Sequence, residues 1–387
     1  MNTFEKDAAY IAPTYARFPV EIVSGNGSLL TGADGKEYID LGSGIAVNTF
    51  GACDTEWVAA ITKQASLFQH TSNLYYSAPS ATLAEMLCTR TGMAKVFFGN
   101  SGAEANECAI KIARKYAALK KGSEYNAIIT LTGSFHGRTL ATLSATGQDV
   151  FHKDFGPLPT GFLYATPNDI ASVEALVAEN KVAGILVEPV QGEGGVCPLS
   201  DEYLRALRAL CDREDILLMC DEVQTGNGRT GKLYAYMHAG IMPDVVSTAK
   251  GLGGGLPIGA TMMAEKAAGV LVAGDHGSTF GGNPIAAAGA CSILSRVDDA
   301  LLSDVAEKSA YIISRLENAE GVVSVTGRGL MLGIETERPA ADVIAACREN
   351  GVLVLKAKNK VRLLPPLNIP MELLSRAVDV LVDALKP

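Results

Sequence analysis

The sequence predicts an α/β protein, with a large domain built on a mostly parallel sheet flanked by helices and a small α+β domain made from the chain termini. Three observations predict it. Five short apolar runs, KVFFG (95–99), AIITL (127–131), GILVE (184–188), ILLMC (216–220) and DVVST (244–248), alternate with helical stretches, the pattern of strands buried on both faces of a parallel sheet. Asn100-Ser101-Gly102, Ser134-Phe135-His136, Glu188, Asp221 and Lys250 fall at or just after the carboxyl ends of those runs, the rim where open α/β sheets gather ligands. Strand-like segments recur near both termini, outside the central series.

Taken in order, residues 15–40 read as short strands separated by turns, with Gly25-Asn26-Gly27 and Asp34-Gly35 as hairpin signals. Helical periodicity covers 81–90 and 102–120, the second with Ala109, Ile112, Ala113 and Tyr116 on one face. Residues 284–319 are mostly helical. VVSVTGRG, LMLGIE and GVLVLKA follow, with helices expected between them. The resulting division is 1–50 as the N-terminal part of the small domain, 51–283 as the large domain and 284–387 as the C-terminal part of the small domain.

A chain of 387 residues with 48% hydrophobic and 19% charged residues is well-buried globular protein rather than disorder. Its formal net charge of −9 and the lack of a basic stripe argue against a nucleic-acid surface. Lys111, Arg114, Lys115, Lys120 and Lys121 read as a solvated helix face. The first residues lack the pattern of a signal peptide, and no apolar run reaches membrane-spanning length. Eight cysteines without a C-x-x-C spacing predict a disulfide-free, cytoplasmic protein. The five histidines have no metal-ligand spacing, so no metal site is expected.

Lys250 lies in STAKGLGGGLPIGA. Small and apolar neighbours desolvate an amine, lower its pKa and expose its nucleophilic form; a snorkelling surface lysine is the bland alternative. Asp221 ends an apolar run, where a carboxylate needs a partner. A protonated heterocyclic nitrogen would serve, as would a helix cap or a buried ion pair. Gln224, three residues on, could reach the same ring. Asn100 to Glu104 joins a strand to a helix start, a ready anion site or a simple cap. Gly226 to Gly231 fits G-x-G-x-x-G, and Gly226 to Lys232 fits most of a phosphate-binding loop. Leu233, however, stands where Ser or Thr must hold Mg²⁺, and the next suitably spaced acid, Asp244, begins a strand rather than ending one. A glycine-rich turn is the simpler reading.

Together SGAEANECAIKIAR, SFHGRT, EPVQGEGG, CDEVQTGNGRTG, STAKGLGGGLPIGA, HGSTFGGNP, GRGLMLGIE and VRLLPPL resemble the ordered motifs of the class III aminotransferases, from about residue 15 to 367. The resemblance implies a fold-type I, pyridoxal 5'-phosphate-dependent transferase that works as a homodimer with shared active sites. Its partners would be a small-molecule amino donor and a 2-oxo acid acceptor, with no nucleic acid and no membrane. By position, Lys250 would hold the cofactor aldehyde and shuttle the proton, Asp221 pair the ring nitrogen, Gln224 approach the ring hydroxyl and Phe135 stack on the ring. Gly102 and Ala103 would bind the phosphate, completed by Thr279 of the partner subunit, with Ser278 lining the substrate pocket. Arg138 would clamp the α-carboxylate of an acylated ornithine and Arg362 that of 2-oxoglutarate; planar guanidinium forks suit that task. Glu193 would mask Arg362 in one half-reaction.

Two departures bear on this. Gly51-Ala52-Cys53-Asp54-Thr55 stands where members commonly carry Gly-His-x-His-Pro, and Gly44 stands where members acting on unmodified ornithine tend to carry tyrosine. Donors served by the same cofactor residues include succinylornithine, N-acyl-diaminopimelate, ornithine and 4-aminobutyrate. The non-enzymatic alternative is a silent, cofactor-binding regulator.

Overall fold

The computed structural model describes residues 1–386. Its centre is a seven-stranded sheet in the order Lys95–Gly99, Gly259–Met263, Val245–Thr248, Leu217–Asp221, Val182–Val187, Ala127–Leu131, Phe162–Ala165. Six strands run one way; Gly259–Met263 is antiparallel to both neighbours. Successive side chains alternate between two apolar layers. Ile185, Val187, Leu218 and Cys220 join one, while Leu186, Leu217 and Met219 join the other, as a period of two requires when both faces are covered.

The helix Gly102–Lys120 lies on the second layer. Ala105, Cys108, Ala109, Ile112, Ala113 and Tyr116 are buried along it at helical spacing. Ser101 caps its start by accepting from the Glu104 amide at 3.1 Å. Four of the five basic residues in and just after this helix are engaged rather than merely solvated, and Lys120 stays exposed. Arg114 donates to the Asn126 and Thr160 carbonyls, Lys115 pairs with Asp275, and Lys121 reaches the Glu214 carbonyl.

A second hydrophobic core gathers residues from both ends of the chain, including Ile39, Leu41, Ile312, Leu332, Val361 and Leu381. It underlies an antiparallel sheet in the order Val322–Arg328, Met331–Thr336, Lys360–Leu363, Leu355–Ala357. No helix separates VVSVTGRG from LMLGIE, contrary to expectation: they form a hairpin, with Gly327 and Gly329 at positive φ. The expected N-terminal strands are Ile22–Asn26, Leu29–Gly32 and Glu37–Asp40, and Val352–Leu353 adds to the last in parallel.

Two features link these parts. Ser43, Gly44, Ile45 and Ala46 all have positive φ, a run that is costly for side chains other than glycine. It is held by the buried Asp40, which accepts from the Gly42 and Ser43 amides at 2.8 and 2.9 Å, and by the Ser43 hydroxyl, which donates to the Leu364 carbonyl at 2.5 Å. The Gly226–Gly231 turn acts as a structural clasp. Its buried Arg229 donates to the Leu330 and Pro365 carbonyls at 3.1 and 2.5 Å, and its own carbonyl accepts from the Leu330 amide at 2.9 Å. Among the described residues, no helix is long and apolar enough to cross a membrane and no acid, thiol or imidazole cluster could hold a metal.

Candidate active site

Strand ends and the loops after them enclose a cavity of about 450 Å³. Gly102, Ala103, Phe135, Arg138, Asp221, Gln224 and Lys250 all line it, so the fold brings together residues spread over 149 sequence positions. Lys250 follows Val245–Thr248 and opens a single 3₁₀ turn with φ 46°, a left-handed conformation that fixes the side chain's direction at some local cost. Burial lowers its pKa; Glu193 and Asp221 pull the other way and Arg362 adds to the depression. The neutral amine is thereby made accessible.

Asp221 closes Leu217–Asp221 and is almost wholly buried. Its Oδ1 accepts from the Val223 amide at 3.0 Å. Its Oδ2 accepts from Asn106 Nδ2 at 2.7 Å and meets His136 Nδ1 at 2.8 Å. Asn106 also donates to the His136 carbonyl and accepts from Ser247 Oγ at 2.5 Å. His136 Nε2 is buried without a partner among the described residues. Beside them Glu188 accepts from the Phe135 amide at 2.8 Å and the Gly192 amide at 3.2 Å. Burial pushes its carboxyl up to about 7, with His136 opposing and Asp221 reinforcing.

Gly102 and Ala103 begin the helix Gly102–Lys120, so their amides have no intrahelical acceptor and face an anion-binding position. A Cβ at Gly102 would lie 2.6 Å from Val223 Cγ1, which reserves the position for glycine. Phe135 meets Phe151 edge-on at 5.7 Å, and the exposed Arg138 guanidinium lies 4.5 Å from the Phe151 centroid and 5.6 Å from that of Phe135. Aromatic faces thus orient a cation whose hydrogen-bonding edge stays available.

Arg362 comes from Lys360–Leu363 and is 3% exposed. Its Nη1 donates to Glu193 Oε1 at 2.5 Å and to Gln224 Oε1 at 3.2 Å, while its Nε is buried without a partner among the described residues. Burial raises Glu193, but the charge and hydrogen bond of Arg362 outweigh it and hold that carboxyl below the usual range. Ser278 and the exposed Thr279 lie apart from the cavity, on a groove with His276 and Lys111. There Ser278 Oγ accepts from Asn100 Nδ2 at 3.0 Å.

Sequence reasoning left Asn106, His136 and Glu188 without assigned roles. Glu188 carried a usable sign, a charge at the end of a wholly apolar strand. Asn106 carried none, since its partner is 115 residues away.

A depressed lysine amine, a hydrogen-bonded buried carboxylate, an aromatic wall and a free helix start around one cleft define a site for a phosphorylated, ring-nitrogen cofactor with an aldehyde to be held. The Aminotransferase class-III family model matches residues 10–385, and the chain belongs to that family; it is a pyridoxal-phosphate-dependent aminotransferase. It is 48% identical over 381 residues to the acetylornithine aminotransferase of Haemophilus ducreyi, covering 98% of this chain and 97% of that one. It is 44% identical to that of Methanocaldococcus jannaschii, covering 99% and 97%. Among solved structures, ornithine aminotransferase from Toxoplasma gondii matches with a TM-score of 0.94 at 32% identity over 99% of this chain and 94% of that one. N-acetylornithine aminotransferase from Stenotrophomonas maltophilia matches at 0.84 and 36% identity over 98% of each.

Proposed function

We propose that the chain transfers the δ-amino group of N-acetylornithine to 2-oxoglutarate, giving N-acetylglutamate semialdehyde and glutamate. The observation that carries this reading is the buried Arg362 held by Glu193 beside the cavity, with a second guanidinium, Arg138, unpaired at its wall. A donor that bears its reacting amine far from its carboxylate needs one clamp. A dicarboxylic acceptor needs two, so one clamp must be masked in turn. The names of the curated relatives point the same way. Gly44 favours an acylated donor over free ornithine. Its φ of 64° suits glycine, and the space a Cβ would enter has no neighbour nearer than 3.7 Å, so no aromatic hydroxyl stands there to orient an unmodified amine.

Pyridoxal phosphate, when bound, supplies an electron-withdrawing ring that stabilises negative charge on the carbon losing its proton. The residues present fit it. Asp221 would keep the ring nitrogen protonated, and its fixed partners hold the carboxylate in place for that contact. Phe135 would cover one ring face, Gln224 reach the ring oxygen, and the Gly102 and Ala103 amides hold the phosphate. Lys250 would carry the cofactor, then take the proton from the amine-bearing carbon on Nζ and return it one position along. Arg138 would grip the donor's α-carboxylate and, in the other half-reaction, the distal carboxylate of 2-oxoglutarate, while Arg362, released by Glu193, would take the carboxylate beside the keto group.

A homodimer completes this reading. Thr279, the proposed phosphate contact of the partner subunit, is exposed and outside its own chain's cavity, on a groove with the exposed Phe280. The eight free thiols support a reducing, cytoplasmic setting. The test is a donor panel on the cofactor-loaded protein without acceptor, following its visible absorbance. Fast, complete conversion by N-acetylornithine is expected. Equal conversion by succinylornithine would widen the assignment to acylornithines, and preference for ornithine or 4-aminobutyrate would overturn it.

A further inference from the structure

Glu188 stands where two loops meet. Its Oε2 accepts from the Phe135 amide at 2.8 Å, and its Oε1 accepts from the Gly192 amide at 3.2 Å. The first loop forms the aromatic wall and carries Arg138. The second runs straight from Gly192 into Glu193, and then into Gly194 and Gly195, the last at φ 109°. Glu193 therefore sits on a chain segment with little intrinsic stiffness. What fixes the start of that segment is the bond from Gly192 to Glu188, together with close packing: a Cβ on Gly192 would lie 2.6 Å from Gln224 Oε1. Gln224 in turn shares Arg362 Nη1 with Glu193. The contacts close a ring, from Glu188 through Gly192 to Glu193, Arg362 and Gln224 and back to Gly192.

We propose that Glu188 is a positioning residue that sets how firmly Glu193 masks Arg362, by anchoring the amide next to the masking carboxylate. The inference rests on the masking role given to Glu193 above. Glu188 touches neither substrate carboxylate; it acts through the backbone. With both amides held by one carboxylate, Glu193 is pre-placed against Arg362, and a dicarboxylate must displace it. With the Gly192 bond lost, the glycine-flanked segment samples other positions and Arg362 is free for a larger fraction of the time, which raises the apparent affinity of any ligand that needs it. Glu188→Gln does this with little change of shape. Its single carbonyl keeps the shorter bond from Phe135, and its NH₂ faces the Gly192 N–H, a donor against a donor.

The experiment measures binding of glutarate, an unreactive five-carbon dicarboxylate, to the cofactor-loaded protein by calorimetry, for wild type, E188Q, E193A and the double variant. E188Q is expected to bind glutarate roughly five- to tenfold more tightly, the scale of one ordinary intramolecular hydrogen bond. The double variant is expected to bind no more tightly than E193A alone, because both changes act on one contact. The KM for N-acetylornithine should stay near wild type, which a general loosening of the site would not allow. If E188Q does not fold, E188D, too short to span both amides, replaces it. Tightening by E193A with wild-type affinity in E188Q, or effects that multiply in the double variant, overturn the role of Glu188 alone. No tightening by E193A overturns the masking role and this inference with it.

Discussion

Asn106 Nδ2 donates to Asp221 Oδ2 at 2.7 Å from a helix 115 residues earlier in the chain, and its own oxygen is held by Ser247 Oγ. The amide therefore cannot rotate to present its oxygen to the carboxylate without losing that bond. A donor fixed against the buried carboxylate holds that oxygen in place for its contact with a protonated ring nitrogen. Asn106→Leu is expected to weaken retention of pyridoxal phosphate about tenfold, the scale seen for supports one step behind a binding group. Titrating the stripped protein with cofactor by fluorescence checks this, and an unchanged dissociation constant would leave Asn106 with a purely structural part.

For Lys250 the expected outcome is categorical. Borohydride treatment of the cofactor-loaded protein should leave a pyridoxyl group on the peptide containing Lys250 and on no other lysine, read by mass spectrometry. Lys250→Ala should lose that label and fall in turnover by at least about a thousandfold.

Glu222 gives a prediction about pH. The side chain next to Asp221 points away from the cavity and is fully buried, accepting from Thr225 Oγ1 at 2.5 Å and the Tyr236 amide at 2.8 Å. Burial pushes it up from 4.5 to about 7, with those hydrogen bonds opposing. A carboxyl raised in the folded state binds more protons there than in the unfolded chain. Its contribution is therefore full below pH 4.5 and is lost as pH rises to about 7. Relative to wild type, Glu222→Gln should gain about 3 kcal/mol across that window and show no further change above it. Urea unfolding of both proteins at several pH values measures the difference.

Asp54 explains the departure at 51–55. It caps Thr55–Ala65 by accepting from the Trp57 amide at 2.9 Å and holds Arg296 through two bonds at 3.0 and 2.7 Å. Arg296 lies 4.0 Å from the Phe50 centroid. Burial opposes ionisation, but Arg296 and the amide hold the carboxyl below its ordinary range. Asp54→Ala should cost about 2 kcal/mol and Asp54→Asn about half that, since asparagine keeps the cap and loses the charge. Equal losses in thermal melts would assign the whole effect to the charge facing Arg296 and none to the cap.

The strands that carry the site were legible because they are apolar over their whole length and each ends in a polar residue, as at Asp221 and Glu188. Gly259–Met263 was missed. Apart from Thr261 its residues give little strand bias, and periodicity holds no information on chain direction, so its antiparallel placement had no local sign. Phe162–Ala165, at the sheet edge, is too short and too exposed to stand out. The helix expected between VVSVTGRG and LMLGIE failed because two glycines at positive φ turn the chain within a few residues. At the site, motif residues were readable one by one. The bonds that tie Asn106 to His136 and Asp221, and Glu188 to Phe135, were not, because they join positions 30 to 115 residues apart.

The buried Arg229 has a consequence for how the molecule comes apart. Its guanidinium draws its acceptors from Leu330 and Pro365, which belong with the second core, while its own turn belongs with the first. Burial lowers its pKa to about 9, leaving it charged at neutral pH. Were one core to melt while the other stayed folded, a cation would be stranded without acceptors in a partly dry crevice, a cost of several kcal/mol. Half-melted chains are therefore scarce at equilibrium, and calorimetry should record one cooperative transition for both cores, splitting in two when Arg229 is replaced by leucine.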